Sequence, residues 1–139
     1  MGYVGYPLVK SPIFSKTNNY NWIYWLPALI WAALIFCLSH QSRLPALGYG
    51  VSDSMVHLGE YFIFSLTLVW GSTSGFKRAM GTQESGLILL IAVLYGFSDE
   101  YHQSFILGRN STIEDVVADG LGALMGVFGS WFVLSRFFR

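Results

Sequence analysis

Charge is scarce in this sequence. Asp, Glu, Lys and Arg make up 12% of its 139 residues, about half of the roughly 25% found in an ordinary soluble domain. The formal net charge is zero, so the basic excess that neutralises a phosphate backbone is missing and nucleic acid is excluded as a partner. Cysteine occurs once, at Cys37, which excludes an internal disulfide and leaves the redox compartment unread. There is no internal repeat and no low-complexity segment. A nucleophile elbow, a glycine-rich phosphate loop, a zincin motif and a CxxC pair are all missing. A cleavable leader is not expected either. The first long apolar run begins near Trp22 with no small-residue cleavage pattern after it, so it reads as an uncleaved first span.

What remains is apolar. Hydrophobic residues make up 53% and aromatics 17%, and the mean hydropathy is +0.48. The apolar residues fall into four runs: Trp22–Leu38, Tyr61–Gly75, Gly86–Ser98 and Gly120–Ser135. Residues 1–20 read as a short tail, and residues 21–139 as one transmembrane domain. Pro27 predicts a kink or a late start in the first helix. Gly and Pro between Ser39 and Ser54 predict a loop, and Lys77-Arg78 a polar turn.

Bilayer thickness adds a constraint. A spanning helix needs about 20 residues, and the last three runs are shorter than that. To span, the second helix must start near Val56 and take in His57 and Glu60. The third must continue through Asp99, Glu100 and His102. The fourth must start near Val116 and take in Asp119. Ionisable groups supply the missing length in every case, so they should face the bundle interior near one membrane face. The expected fold is an all-α membrane protein, a bundle of four transmembrane helices.

Basic residues set the orientation. Lys10, Lys16, Lys77, Arg78, Arg136 and Arg139 flank one side, and only Arg43 and Arg109 the other. The positive-inside rule then places both termini in the cytoplasm. The polar end faces outward, on the outer face of a bacterial plasma membrane. All three histidines, and every acidic residue but Glu84, lie on that side.

Helical spacing groups His57, Glu60 and Tyr61 on one face. It groups Tyr95, Asp99, His102 and Gln103 on another, with Glu100 pointing elsewhere on that turn. A carboxylate and an imidazole three residues apart on each of two helices can hold a divalent metal between them. This makes His57, Glu60, Asp99 and His102 candidate ligands; a hydrogen-bonded network that fixes helix register uses the same residues. Arg109 stands alone among acids. It can grip a phosphate or carboxylate, or form a structural salt bridge with Asp99, Glu100 or Asp115. Ser111-Thr112-Ile113-Glu114 fits a capping box opening the fourth helix. Asp115 and Asp119 lie one turn apart on that helix. Ala118, Gly122 and Gly126 make a small-residue stripe for close packing.

The run Tyr95-Gly96-x-x-Asp99-Glu100-x-His102-Gln103-x-Phe105-x-x-Gly108-Arg109, with Asp115-x-x-Ala118-x-x-x-Gly122-x-x-x-Gly126 after it, resembles the signature of VanZ-like membrane proteins. Asp53-x-x-x-His57-x-x-x-Tyr61 and Ser39-x-Gln41-Ser42 resemble further motifs of that family. The likeness covers roughly residues 25–130. Leu107 stands where the family has proline, Asp119 where it has asparagine, and Ser54 where it often has lysine. The family's namesake is associated with low-level resistance to teicoplanin, so the resemblance implies a cell-envelope role on the outer face. It names no reaction.

Three functions follow. The first is an outward-facing pocket binding a membrane lipid head group, a lipid-linked cell-wall precursor or a glycopeptide. In it Arg109 holds the anionic group, and Gln103, Tyr61, Tyr95, Asp115 and Asp119 line the site. The second is an acid–base or metal-dependent enzyme on a lipid-linked substrate, with His57, Glu60, Asp99, Glu100 and His102 as candidate catalytic groups. The third is a structural subunit of an envelope complex.

Overall fold

Pro27 sets where the first helix begins. The computed structural model, which describes residues 21–41 and 52–138, opens with a short 3-10 turn, Asn21–Trp25, and then α1, Leu26–Ser39. Pro27 sits in the first turn of α1, where its missing N–H costs nothing. The expected late start is therefore present, while the tail before residue 21 and the loop at 42–51 lie outside the described residues.

The other helices begin earlier than the apolar runs do, and caps explain the difference. α2 spans Asp53–Ser72 because the Ser52 hydroxyl accepts from the Met55 N–H at 3.3 Å. α3 spans Thr82–Gln103, its first turn held by the Glu84 carboxylate accepting from the Gly81 N–H at 3.4 Å. α4 spans Ile113–Phe137, but its cap is Thr112 and not the expected Ser111. The Thr112 hydroxyl accepts from the Asp115 N–H at 3.2 Å and donates to Asp115 Oδ2 at 2.7 Å. The expected capping box is not formed: the N-cap moves one residue on, Glu114 faces outward, and the Thr112 N–H is taken by Glu100 of α3 instead of by a side chain of α4.

The four helices alternate in direction, and the described residues contain no strand. The C-terminal ends of α1 and α3 meet the N-terminal ends of α2 and α4: His40 lies beside His102, and His57 beside Asp119. α2 touches the three other helices, while α1 and α4 make no contact among the described residues. The tightest pair is α2 with α4, for which the small-residue stripe is the cause. A Cβ at Gly122 would stand 3.0 Å from both Leu58 C and Phe62 N and closer still to the Leu58 carbonyl oxygen. Only a glycine lets the two backbones lie that close.

Burial is inverted relative to a soluble protein. Leu29, Leu94 and Phe128 are 65%, 58% and 58% exposed, while Asp119 and Glu100 are 1% and 3% exposed. The core still holds Ile35, Tyr61, Phe64, Leu68, Val69, Ala92, Ala123 and Val127. Its polar end, however, is ionisable and its outer surface is apolar, a surface that water does not favour over such an area. Among the described residues, two helical stretches are long and apolar enough to cross a membrane, Trp22–Ser39 and Ile113–Phe137. α2 and α3 have 20 and 22 residues, about 30 Å or more at 1.5 Å per residue. His57 and Glu60 in α2, and Asp99, Glu100 and His102 in α3, break their apolar composition.

Candidate functional site

His57 is the centre of the polar end. It projects from the second turn of α2 into the bundle and is 3% exposed. Its Nδ1 lies 3.0 Å from Asp119 Oδ1 on α4, and its Nε2 lies 3.7 Å from Glu100 Oε1 on α3. One imidazole thus stands between two carboxylates from two other helices. Gly96 makes room for Asp119: a Cβ there would lie 2.8 Å from Asp119 Oδ2.

The neighbouring carboxylates are differently committed. Asp115 accepts through both oxygens, from Ser54 Oγ at 2.7 Å through Oδ1 and from Thr112 Oγ1 at 2.7 Å through Oδ2. Glu100 Oε2 accepts from the Thr112 N–H at 3.1 Å, so a side chain of α3 satisfies an orphan donor at the start of α4. Glu100 Oε1, Asp119 Oδ2 and the Tyr61 hydroxyl are buried with no hydrogen-bond partner among the described residues. Such groups are costly in a low-dielectric interior.

A second chain of contacts runs along the α1 side. The Gln103 amide donates to Asp99 Oδ2 at 3.0 Å and lies 3.5 Å from Ser39 Oγ. Its oxygen accepts from Arg109 Nε at 3.0 Å and Nη2 at 2.7 Å. Arg109 follows a turn closed by Gly108, whose φ of 86° suits glycine. All eight acidic residues lie within the described segments, yet Arg109 forms no ion pair with any of them among the described residues. The structural salt bridge to Asp99, Glu100 or Asp115 is therefore not formed.

The structure regroups the residues that spacing had placed together. Tyr95 is half-buried and donates to the Ala32 carbonyl at 2.7 Å. His102 is not beside His57: its Nε2 lies 3.3 Å from His40 Nδ1, and its ring stacks on Phe36 with centroids 4.6 Å apart. Glu60 is half-buried, and its carboxylate makes no hydrogen bond among the described residues, while its backbone carbonyl accepts from Trp31 Nε1 at 2.9 Å. The His57, Glu60, Asp99 and His102 set thus does not converge on one point. The groups that do converge are His57, Glu100 and Asp119, with one ligand atom from each lying within 4.8 Å of the others. Asp53, His57 and Asp115 form a second such group, with Asp53 exposed. Asp53 stands one helical turn before His57, the signal by which it could have been found.

Two apolar grooves lie elsewhere. One of about 510 Å³ is lined by Phe62, Leu66, Met125 and Phe137, and one of about 280 Å³ by Leu89, Phe128 and Trp131. Neither reaches the polar cluster.

A helical bundle with an apolar exterior, two candidate membrane spans and ionisable groups buried at one end is the architecture of a membrane protein. The chain belongs to the VanZ/LLP1 family, whose model matches residues 18–135. It is also similar to an uncharacterized protein of Schizosaccharomyces pombe, 29% identical over 98 residues. That match covers 70% of this chain and 58% of the yeast protein. No solved structure matches.

Proposed function

We propose that this protein is a four-span membrane protein that binds the anionic group of a cell-envelope ligand at its polar end. Both termini are cytoplasmic in this reading and the polar end faces outward. Lys77, Arg78 and Arg136 all sit at the opposite end of the described bundle, as that orientation requires.

One observation carries the binding reading: Arg109 is half-buried at the acidic end of the bundle, yet among the described residues it is paired with an amide. Gln103 fixes the edge formed by Nε and Nη2. The other guanidinium nitrogen, Nη1, has no hydrogen bond among the described residues and remains a donor for a phosphate or carboxylate. Asp99 orients Gln103, so the guanidinium is held before a ligand arrives. A lipid head group, a lipid-linked wall precursor and a glycopeptide such as teicoplanin all offer such an anion. Capture of either of the last two is the route by which this site would affect glycopeptide resistance.

The test is binding of phosphatidylglycerol, a polyprenyl phosphate and teicoplanin to purified protein in mild detergent, with Arg78→Ala as control. Arg109→Ala should weaken capture at least tenfold, roughly the contribution of one charged hydrogen bond. Unchanged affinity for all three ligands would remove Arg109 from this role. For topology, a cysteine at Asn110 in a Cys37→Ser background should react with an impermeant maleimide added outside. Protection there would reverse the orientation.

A second reading, an acid–base enzyme on a lipid-linked substrate, is favoured by the imidazole held between Glu100 and Asp119.

A further inference from the structure

We propose that His57 Nε2 and Glu100 Oε1 ligate a divalent transition-metal cation buried between α2, α3 and α4, with Asp119 holding the His57 ring from its other side. The inference is separate from anion capture by Arg109, since neither Arg109 nor Gln103 touches these three side chains.

The case begins with hydrogen positions. His57 Nδ1 is within hydrogen-bonding distance of Asp119 Oδ1, at 3.0 Å. A carboxylate there accepts a hydrogen bond from Nδ1–H, which keeps the proton on Nδ1 and leaves Nε2 with its lone pair, the arrangement by which carboxylates orient metal-bound histidines. Nε2 then faces Glu100 Oε1, another lone-pair atom, across 3.7 Å. That separation is too long for a hydrogen bond. Two metal–ligand bonds of about 2 Å each bridge it.

Charge supports the same assignment. An imidazolium between two ionised carboxylates leaves one net negative charge in a site where all three residues are buried. A divalent cation with neutral imidazole and the same two carboxylates sums to zero, which the interior tolerates far better. Glu100 Oε1, which faces Nε2, has no hydrogen-bond partner among the described residues, and Glu100 is 3% exposed. One imidazole nitrogen and one carboxylate oxygen suit zinc or manganese rather than a thiophilic ion.

The experiment uses the full chain in mild detergent, prepared without chelator, with metal content read by mass spectrometry. Wild-type protein should carry a stoichiometric divalent metal. His57→Ala and the isosteric Glu100→Gln should lose it, and His102→Ala should keep it. Retention of the metal by both His57→Ala and Glu100→Gln would place it elsewhere and overturn the assignment. Wild-type protein stripped with EDTA covers the case of variants that fail to fold. Adding back zinc or manganese should restore stoichiometric binding and raise the melting temperature. No uptake of either ion, with an unchanged melting temperature, would equally overturn the site. Neither readout depends on Arg109, so failure here is distinguishable from failure of the anion-binding reading.

Discussion

Arg78 and Arg109 sit at opposite ends of the same bundle and are held in opposite ways. Arg78 is exposed and meets the Glu84 carboxylate with both terminal nitrogens, at 2.9 and 2.6 Å, a hydrogen bond that holds its guanidinium above its already high ordinary pKa. Arg109 is half-buried at the acidic end, and among the described residues its guanidinium bonds only an amide oxygen. Proximity of opposite charge therefore does not decide pairing. At Arg78's end the carboxylate also accepts from the Gly81 N–H. At Arg109's end Asp99, Asp115 and Asp119 are committed to Gln103, to Ser54 and Thr112, and to His57. One end is organised as an exposed ion pair and the other as a buried network.

That contrast can be broken or sharpened by substitution. The largest loss should come from His57→Ala. It leaves Glu100 and Asp119 buried without their shared partner, a change that costs about 3–5 kcal/mol when a buried pair is broken. Unfolding in detergent by a graded denaturant measures it, and a loss below 1 kcal/mol, the range of exposed pairs, would mean that this end is no more buried than the other. Gly122→Ala should follow, since the new methyl meets the backbone of Leu58 and Phe62. Overpacking of this kind costs about 1–3 kcal/mol, readable in the same unfolding assay. Gly129→Ala, where nothing lies within 4 Å, should be neutral or gain up to about 1 kcal/mol of helix propensity. The smallest electrostatic effect should be that of Arg78→Ala, within about 1 kcal/mol and shrinking as salt is added. A large, salt-resistant loss at Arg78 would erase the contrast between the ends.

The helix extents were legible in part. The length argument expected His57, Glu60, Asp99, Glu100 and Asp119 inside helices, and α2, α3 and α4 contain them. Caps then moved the boundaries, through Ser52, Gly81 and Thr112, by amounts that hydropathy does not carry. The site was less legible. Spacing put Asp99, His102 and Gln103 on one face of α3, and Asp99 and Gln103 do bond each other there. But α3 divides its polar residues among its neighbours. His102 goes to His40 on α1, and Glu100, which spacing set apart, goes to His57 on α2 and to the start of α4.

The sequence by itself determined that the chain is helical, apolar outside and ionisable at one end, since composition, run length and charge placement are properties of the chain alone. It also carried the motif of the VanZ/LLP1 family. Only the tertiary structure decided which carboxylates share His57. Periodicity fixes the face of each helix but not its rotation against the next. That rotation is set where Gly122 and Gly126 let α4 sink against α2 and where Gly96 admits Asp119, which are contacts between helices far apart in sequence.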